Sequence, residues 1–139
     1  HKEYLVIVEG LPKEKHFLIN RAIGKINGSQ RGTGSKAVKP KQSVTEFHWL
    51  VSLGKRSLLK AIPHSGRTNQ IRVHLATADL PVVNDAVYGK NSLGGAVAPL
   101  GLHAYRLRFR CFETLLDIIA PWPEHFQPFI TTETRELEP

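Results

Sequence analysis

The stretch from residue 62 to residue 89, IPHSGRTNQIRVHLATADLPVVNDAVYG, contains the signals that decide the fold. Its opening residues after the isoleucine, PHSG, are turn formers. Apolar side chains then recur at helical spacing, at Ile71, Leu75 and Ala78. Pro81 cannot continue a helix, and the two valines that follow it favour extended chain. The pattern predicts a turn, a helix over residues 67–78 and a short extended piece.

The predicted helix carries an unusual density of polar groups. Its first two turns hold five cationic or hydrogen-bonding side chains: Arg67, Asn69, Gln70, Arg72 and His74. A solvated helix face usually mixes both signs of charge, but residues 56–78 contain no Asp or Glu. This composition predicts a polyanion as partner, or a carboxylate held by two arginines. Arg67 lies near the helix N-terminus, where the helix dipole disfavours a cation, so we expect it to meet an anion or a backbone carbonyl.

The rest of the chain reads mainly as strands. Apolar runs, period-2 alternation and turn residues predict strands near residues 3–9, 44–53, 56–62, 102–110 and 113–119. The 102–110 strand is predicted to be half-buried with a basic outer face. The fold class expected is α+β: a mostly antiparallel, mixed β-sheet packed by one or two helices. We assign residues 1–130 to one domain and residues 131–139 to a polar tail that we expect to be frayed.

A basic segment over residues 24–42 interrupts this pattern. It is rich in Gly, Ser, Lys and Gln, and residues 24–41 contain no acid. We predict a mobile loop, either a solvated insertion or an RNA contact made by three of its lysines, Lys36, Lys39 and Lys41.

Composition narrows the class of partner. The 139 residues carry a formal net charge of +7 with a pI near 9.8, which favours nucleic acid or an anionic membrane surface. No apolar run is long enough to span a bilayer, and of the two partners we expect nucleic acid and not membrane. The single cysteine, Cys111, suits a reducing, intracellular compartment. The seven histidines show no zinc-ligand spacing, so we predict no metal.

Three motifs together resemble a known family. They are GRTNQIRVH with the later DAVYG, KEY at residues 2–4, and LHA at residues 102–104. In their order along the chain they resemble the RluA-type RNA pseudouridine synthases. The chain departs from the family pattern at Asn69, where His is usual, and at Asn84, where Gly is usual.

The resemblance implies an isomerase that needs no cofactor and acts on rRNA, tRNA or mRNA. Such an enzyme breaks the N-glycosidic bond of uridine, rotates the base and joins its C5 to the ribose. Tyr4 and Arg72 match catalytic positions of the family: the tyrosine stacks on the target base, and the arginine pairs with the catalytic aspartate. Leu102 and Ile71 would form the substrate pocket. RNA contacts are expected from Arg67, Asn69, Gln70, His74, Lys36, Lys39 and Lys41.

One family motif does not occur among the 139 residues. This is H-R-L-D, which carries the catalytic aspartate. We therefore expect this chain alone to be inactive and another segment or chain to supply the aspartate. Asp85 is interpreted as a turn residue rather than a substitute nucleophile. The alternatives are a non-catalytic, synthase-like RNA-binding or assembly factor in a ribonucleoprotein particle, and an unrelated basic α+β nucleic-acid binder.

Overall fold

The computed structural model describes residues 1–89 and 98–137. The strands of its main sheet are β1 (Lys2–Glu9), β2 (His16–Asn20), β6 (Val44–Leu53), β7 (Arg56–Pro63), β8 (Leu102–Cys111) and β9 (Thr114–Ile119). They form a six-stranded antiparallel sheet with the strand order β2-β6-β7-β1-β8-β9. The five strands predicted from the sequence are confirmed, and so is the α+β class.

Strand β1 lies inside the sheet and is buried on both faces. Val6 and Val8 point to one side, where they join a core cluster with residues of β6, β7 and the helix. Leu5 and Ile7 point to the other side and pack with Phe126. Because successive side chains of a strand alternate between faces, a strand covered on both faces needs the nearly continuous apolar run seen here.

The helix α1 (Gln70–Thr77) packs against the first of these clusters through Ile71 and Leu75. It begins three residues later than predicted. Asn69 has the left-handed backbone conformation (φ 56°), which Asn tolerates better than most residues, and this ends the turn before the helix. Residues 67–69 therefore belong to the turn that joins β7 to α1.

The mobile loop predicted over residues 24–42 is wrong. This segment forms a second antiparallel sheet of order β4-β3-β5, with β3 (Ile23–Asn27), β4 (Gln30–Gly32) and β5 (Val38–Lys41). Backbone pairing needs no apolar side chains, so composition did not reveal it. Gly24 shows how close the strands lie, since a Cβ there would meet the Val38 carbonyl at 2.6 Å.

Two details at the C-terminal end also differ from the prediction. Strand β8 is not half-buried along its length: Leu107 and Phe109 are exposed. Part of the polar tail is helical rather than frayed. After a 3-10 helix (Glu124–Phe129) comes α2 (Thr132–Arg135), whose N-terminus is capped by Thr131. Within the described residues, no helix has the length and apolarity needed to cross a membrane.

Candidate active-site pocket

A cleft of about 590 Å³ opens where the start of β1, the turn after β7, the N-terminus of α1 and the start of β8 meet. It brings together the four residues that the resemblance assigns to catalysis and the substrate pocket: Tyr4, Ile71, Arg72 and Leu102. Arg67, Asn69 and Gln70 line it as well. No acidic side chain lies among the described residues that line this cleft.

Strand pairing explains why Tyr4 and Leu102 share this cleft. Strand β1 pairs with β8, so that Tyr4 lies opposite Ala104 and Val6 lies opposite Leu102. Tyr4 and Leu102 therefore stand on neighbouring strands, and both pack against the edge of the cluster beneath α1. The tyrosine is half-buried, which leaves part of its ring open to the cleft.

Arg72 is held in place by a carboxylate of the same chain. Its Nε donates to Asp85 Oδ2 at 2.8 Å and its Nη2 to Asp85 Oδ1 at 2.7 Å, a bidentate pair. Its Nη1 donates to Asn69 Oδ1 at 3.3 Å. The resemblance predicted that Arg72 pairs with a catalytic aspartate whose motif does not occur among the 139 residues. In the structure, the partner of Arg72 is Asp85.

Asp85 also has the turn role expected from the sequence. Its Oδ1 accepts hydrogen bonds from the backbone N–H groups of Val87 and Tyr88, both at 3.0 Å. Burial alone would raise the pKa of Asp85, but the hydrogen bonds from Arg72 and these two amides outweigh it and lower the pKa. The hydrogen bonds that Arg72 donates to Asp85 raise the pKa of Arg72. The pair is therefore fully charged at neutral pH.

Tyr88 is a pocket-supporting residue that the sequence reasoning did not single out. The Arg72 guanidinium lies over its ring, 5.0 Å from the centroid, in cation–π geometry. The Tyr88 hydroxyl accepts from Asn69 Nδ2 at 3.3 Å and from the backbone N–H of Arg31 at 2.9 Å. It thus connects the small sheet to the helix N-terminus. Asp85 and Tyr88 both belong to the DAVYG motif. The match of this motif to the family pattern was the signal that could have identified Tyr88.

Gln70 supports the turn from inside. It is only 4% exposed. Its Nε2 donates to the Val44 carbonyl and to Thr45 Oγ1, both at 2.9 Å, and its Oε1 accepts from Ser65 Oγ at 2.7 Å. Because both the nitrogen and the oxygen of its amide already make hydrogen bonds within the chain, Gln70 forms part of the cleft wall rather than reaching into the cleft.

His74 is not available to RNA. Its side chain is fully buried, with Nδ1 2.8 Å from Thr45 Oγ1 and Nε2 2.8 Å from the Arg21 carbonyl oxygen. Burial lowers its pKa, so the ring is neutral. The predicted RNA contact of His74 is therefore wrong, and the residue instead ties α1 to β6 and to the chain before β3.

The remaining predicted RNA contacts lie outside the core. Arg67 is exposed, and its Nε donates to the Gln42 backbone carbonyl at 3.3 Å, as its position at the helix N-terminus suggested. Lys36, Lys39 and Lys41 are exposed on or beside strand β5 and do not line the cleft.

The sequence of this chain is similar to those of known proteins. Residues 1–77, more than half of the chain, match the family model described as RNA pseudouridylate synthase. The chain is 28% identical over 132 residues to the ribosomal large subunit pseudouridine synthase D of Borreliella burgdorferi, covering 94% of this chain and 40% of that protein. It is 34% identical over 128 residues to an uncharacterised RNA pseudouridine synthase of Zymomonas mobilis, covering 90% of this chain and 58% of that protein.

Structural comparison agrees with this. The human RNA pseudouridylate synthase domain containing 1 superposes with a TM-score of 0.78 at 28% identity, covering 88% of this chain and 54% of that one. The chain thus spans about two fifths to three fifths of the length of these relatives. The resemblance to the RluA-type synthases is confirmed, and the chain belongs to the RNA pseudouridylate synthase family.

Proposed function

We propose that this chain forms the base-binding and positioning part of an RNA pseudouridine synthase, an isomerase that converts uridine to pseudouridine in structured RNA. The observation that carries the proposal is the single cleft that gathers Tyr4, Ile71, Arg72 and Leu102 in a member of this family. At about 590 Å³ the cleft is within the size range of small-molecule sites and suits one extruded nucleotide.

The walls of the cleft suit a flipped base. The half-buried side chain of Tyr4 lines the cleft, and its ring offers a flat surface for stacking. Ile71 and Leu102 contribute apolar surface to the same lining. A base removed from its stack loses a few kcal/mol of stacking and pairing energy, and such contacts offset part of that loss.

Arg72 supplies a fixed cation at the same site. Among the described residues its contacts to Asp85 and Asn69 use three of its five N–H groups, which leaves two for a ligand. Because the bidentate pair and the Tyr88 ring hold the guanidinium, it loses little freedom on binding. We propose that it orients the reacting carboxylate of the synthase and keeps that group ionised.

Asp85 is poorly suited to be that reacting carboxylate. Its side chain has no exposed surface, and its two oxygens together accept four hydrogen bonds. The cleft lining holds no acid among the described residues, and H-R-L-D is absent from the 139 residues. We therefore propose that these residues alone form no pseudouridine and that an aspartate supplied from elsewhere completes the site.

The RNA partner, whether rRNA, tRNA or mRNA, is proposed to lie against the cationic surface beside the cleft. Arg67 is exposed at its rim, and the exposed lysines of the small sheet extend the positive surface. The formal net charge of +7 supports binding through phosphate contacts and counterion release.

A chimera tests the proposal. A segment of an RluA-type synthase that contains the family's H-R-L-D motif would be joined ahead of residue 1. Pseudouridine, which has the same mass as uridine, would be measured in nuclease-digested bulk RNA by liquid chromatography coupled to mass spectrometry. We expect no product from the 139 residues alone and measurable product from the chimera. Arg72→Ala in the chimera should lower the rate by about a hundredfold or more, since a mispositioned reacting group costs that much.

Two further variants separate chemistry from folding. Tyr4→Phe removes only a hydroxyl from the cleft and should also lower the rate, with thermal unfolding unchanged. Arg108→Ala removes an exposed arginine on β8 that lies outside the cleft lining, and should leave the rate unchanged. Product from the isolated chain, or full activity in the Arg72→Ala chimera, would refute the assigned roles.

A further inference from the structure

Three histidines converge on one glutamate on the outer face of the main sheet. Glu46 Oε1 lies 2.9 Å from His16 Nε2 and 2.8 Å from His48 Nε2, and Glu46 Oε2 lies 3.0 Å from His64 Nε2. We refer to His16, Glu46, His48 and His64 as the His–Glu cluster. None of them belongs to the catalytic set proposed above, although His64 also lines the rim of the cleft.

Strand pairing builds this cluster from residues far apart in sequence. His16 on β2 lies directly opposite His48 on β6, and Glu46 shares a face with His48 because it lies two residues earlier. His64 follows β7 and donates its backbone N–H to the Val44 carbonyl, so it approaches Glu46 from the other side. Spacings of 30 and 2 residues match no metal motif, which is why the sequence predicted no metal site.

The cluster has the chemistry of a metal site rather than of a simple ion pair. Glu46 places its two carboxylate oxygens within 3.0 Å of three imidazole nitrogens, and carboxylate oxygen and imidazole nitrogen are both zinc ligands. The rings of His16 and His48 stack with centroids 4.5 Å apart. The stacking keeps both rings beside the Glu46 carboxylate.

The distances also suit a shared ion. One ligand atom from each of His16, Glu46 and His48 lies within 4.8 Å of the others. In a tetrahedral zinc site, with bonds of about 2.0–2.2 Å, ligand atoms lie roughly 3.3–3.5 Å apart. The imidazole–carboxylate distances of 2.8–2.9 Å need to open by only about half an ångström to reach that range.

We propose that His16, Glu46 and His48 bind a divalent transition-metal ion, best suited to zinc. His64 would hold the other oxygen of Glu46 and orient the carboxylate, as outer hydrogen-bond partners do in metal sites. Three protein ligands leave one position for water. Lys60 lies opposite His48 on β7, and its charge moderates the affinity. The bound ion would join β2 to β6 and brace the turn at His64 that borders the cleft.

Zinc chloride alone is the probe, titrated into the full chain by calorimetry. Background binding is removed by Cys111→Ser, because this exposed thiol is itself a potential ligand. We expect one zinc per chain with a Kd of about 10 μM or tighter, and weaker binding as pH falls because protons compete for the imidazoles. His48→Ala and Glu46→Gln should each weaken binding by at least about tenfold, and His64→Ala by less.

Two control variants keep the assignment specific. His125→Ala removes a histidine outside the cluster, bonded to the Leu100 carbonyl, and His1→Ala removes the imidazole beside Glu3. Both should bind zinc as the parent does. Zinc should also raise the thermal unfolding temperature of the parent but not of His16→Ala/His48→Ala, because only the former binds it. No binding up to about 1 mM zinc, or equal binding by His48→Ala and the parent, would overturn the proposal.

Discussion

The turn–helix region over residues 63–89 and the small sheet over residues 23–41 are both rich in polar residues. They differ in whether those polar side chains are buried or exposed. In the first, polar side chains such as Gln70, His74 and Asp85 are buried and matched to partners. In the second, the lysines are exposed and the strands are held by backbone pairing. Buried polar groups need specific partners at fixed spacing, whereas exposed charges tolerate many sequences. We therefore expect substitutions in the turn–helix region to lower stability and substitutions in the small sheet to weaken RNA binding.

Removing the carboxylate of Asp85 should have the largest effect on stability. Asp85→Ala leaves the Arg72 guanidinium without its bidentate partner and removes the cap from the turn at Val87 and Tyr88. Losing one member of a buried ion pair typically costs about 3–5 kcal/mol of unfolding free energy. We expect a loss of that size, measured by urea denaturation monitored by circular dichroism.

Asp117→Ala is the matched control for that measurement. Asp117 also pairs with arginines, Arg106 and Arg108, but on the exposed face of the β8–β9 hairpin. Solvent screens that network, so its removal should change the unfolding free energy far less than Asp85→Ala does. Equal losses from the two variants would show that the turn–helix region does not depend on its buried pair.

His74 should give a smaller effect that depends on pH. His74→Ala leaves the Arg21 carbonyl and the Thr45 hydroxyl without this partner, at a cost of about 2 kcal/mol. Burial lowers the pKa of His74 below 6.5 in the folded state, so the unfolded chain binds the proton more readily. The stability that this residue contributes is therefore fully present above about pH 6.5 and is lost as pH falls below it.

The measurement is the unfolding free energy at a series of pH values between about 7.5 and 5. The parent should lose stability on acidification, and His74→Ala should lose less over the same range. In His74→Ala the slope of unfolding free energy against pH should be reduced rather than abolished, because burial also lowers the pKa of His103. His125→Ala serves as the control for removing a histidine. Identical slopes in the parent and His74→Ala would contradict the buried, neutral state of His74.

The same contrast explains what the sequence could predict. The apolar run of β1 and the periodicity of α1 identified the core elements, since both depend on local pattern. The motif residues Tyr4, Arg72 and Leu102 were placed at one cleft by the resemblance, and the structure brings them together. The Arg72–Asp85 pair and the His–Glu cluster depend on contacts between distant segments. The small sheet depends on backbone pairing, which leaves little trace in side-chain composition.

The smallest effect on stability should come from the small sheet, where RNA binding should change instead. Lys36→Gln/Lys39→Gln/Lys41→Gln removes three exposed cations, which have no packing role to lose. Each phosphate contact removed lowers the salt dependence of log K by about 0.7–0.9, so the slope should fall by about 2–3 if all three meet phosphate. The measurement is fluorescence anisotropy with a structured RNA over a range of salt concentrations. A matched variant with glutamine at three other exposed lysines, Lys13, Lys15 and Lys55, should keep the parent slope. If the two triple variants lose equal slope, the RNA responds to net charge alone, and the small sheet is not a binding surface.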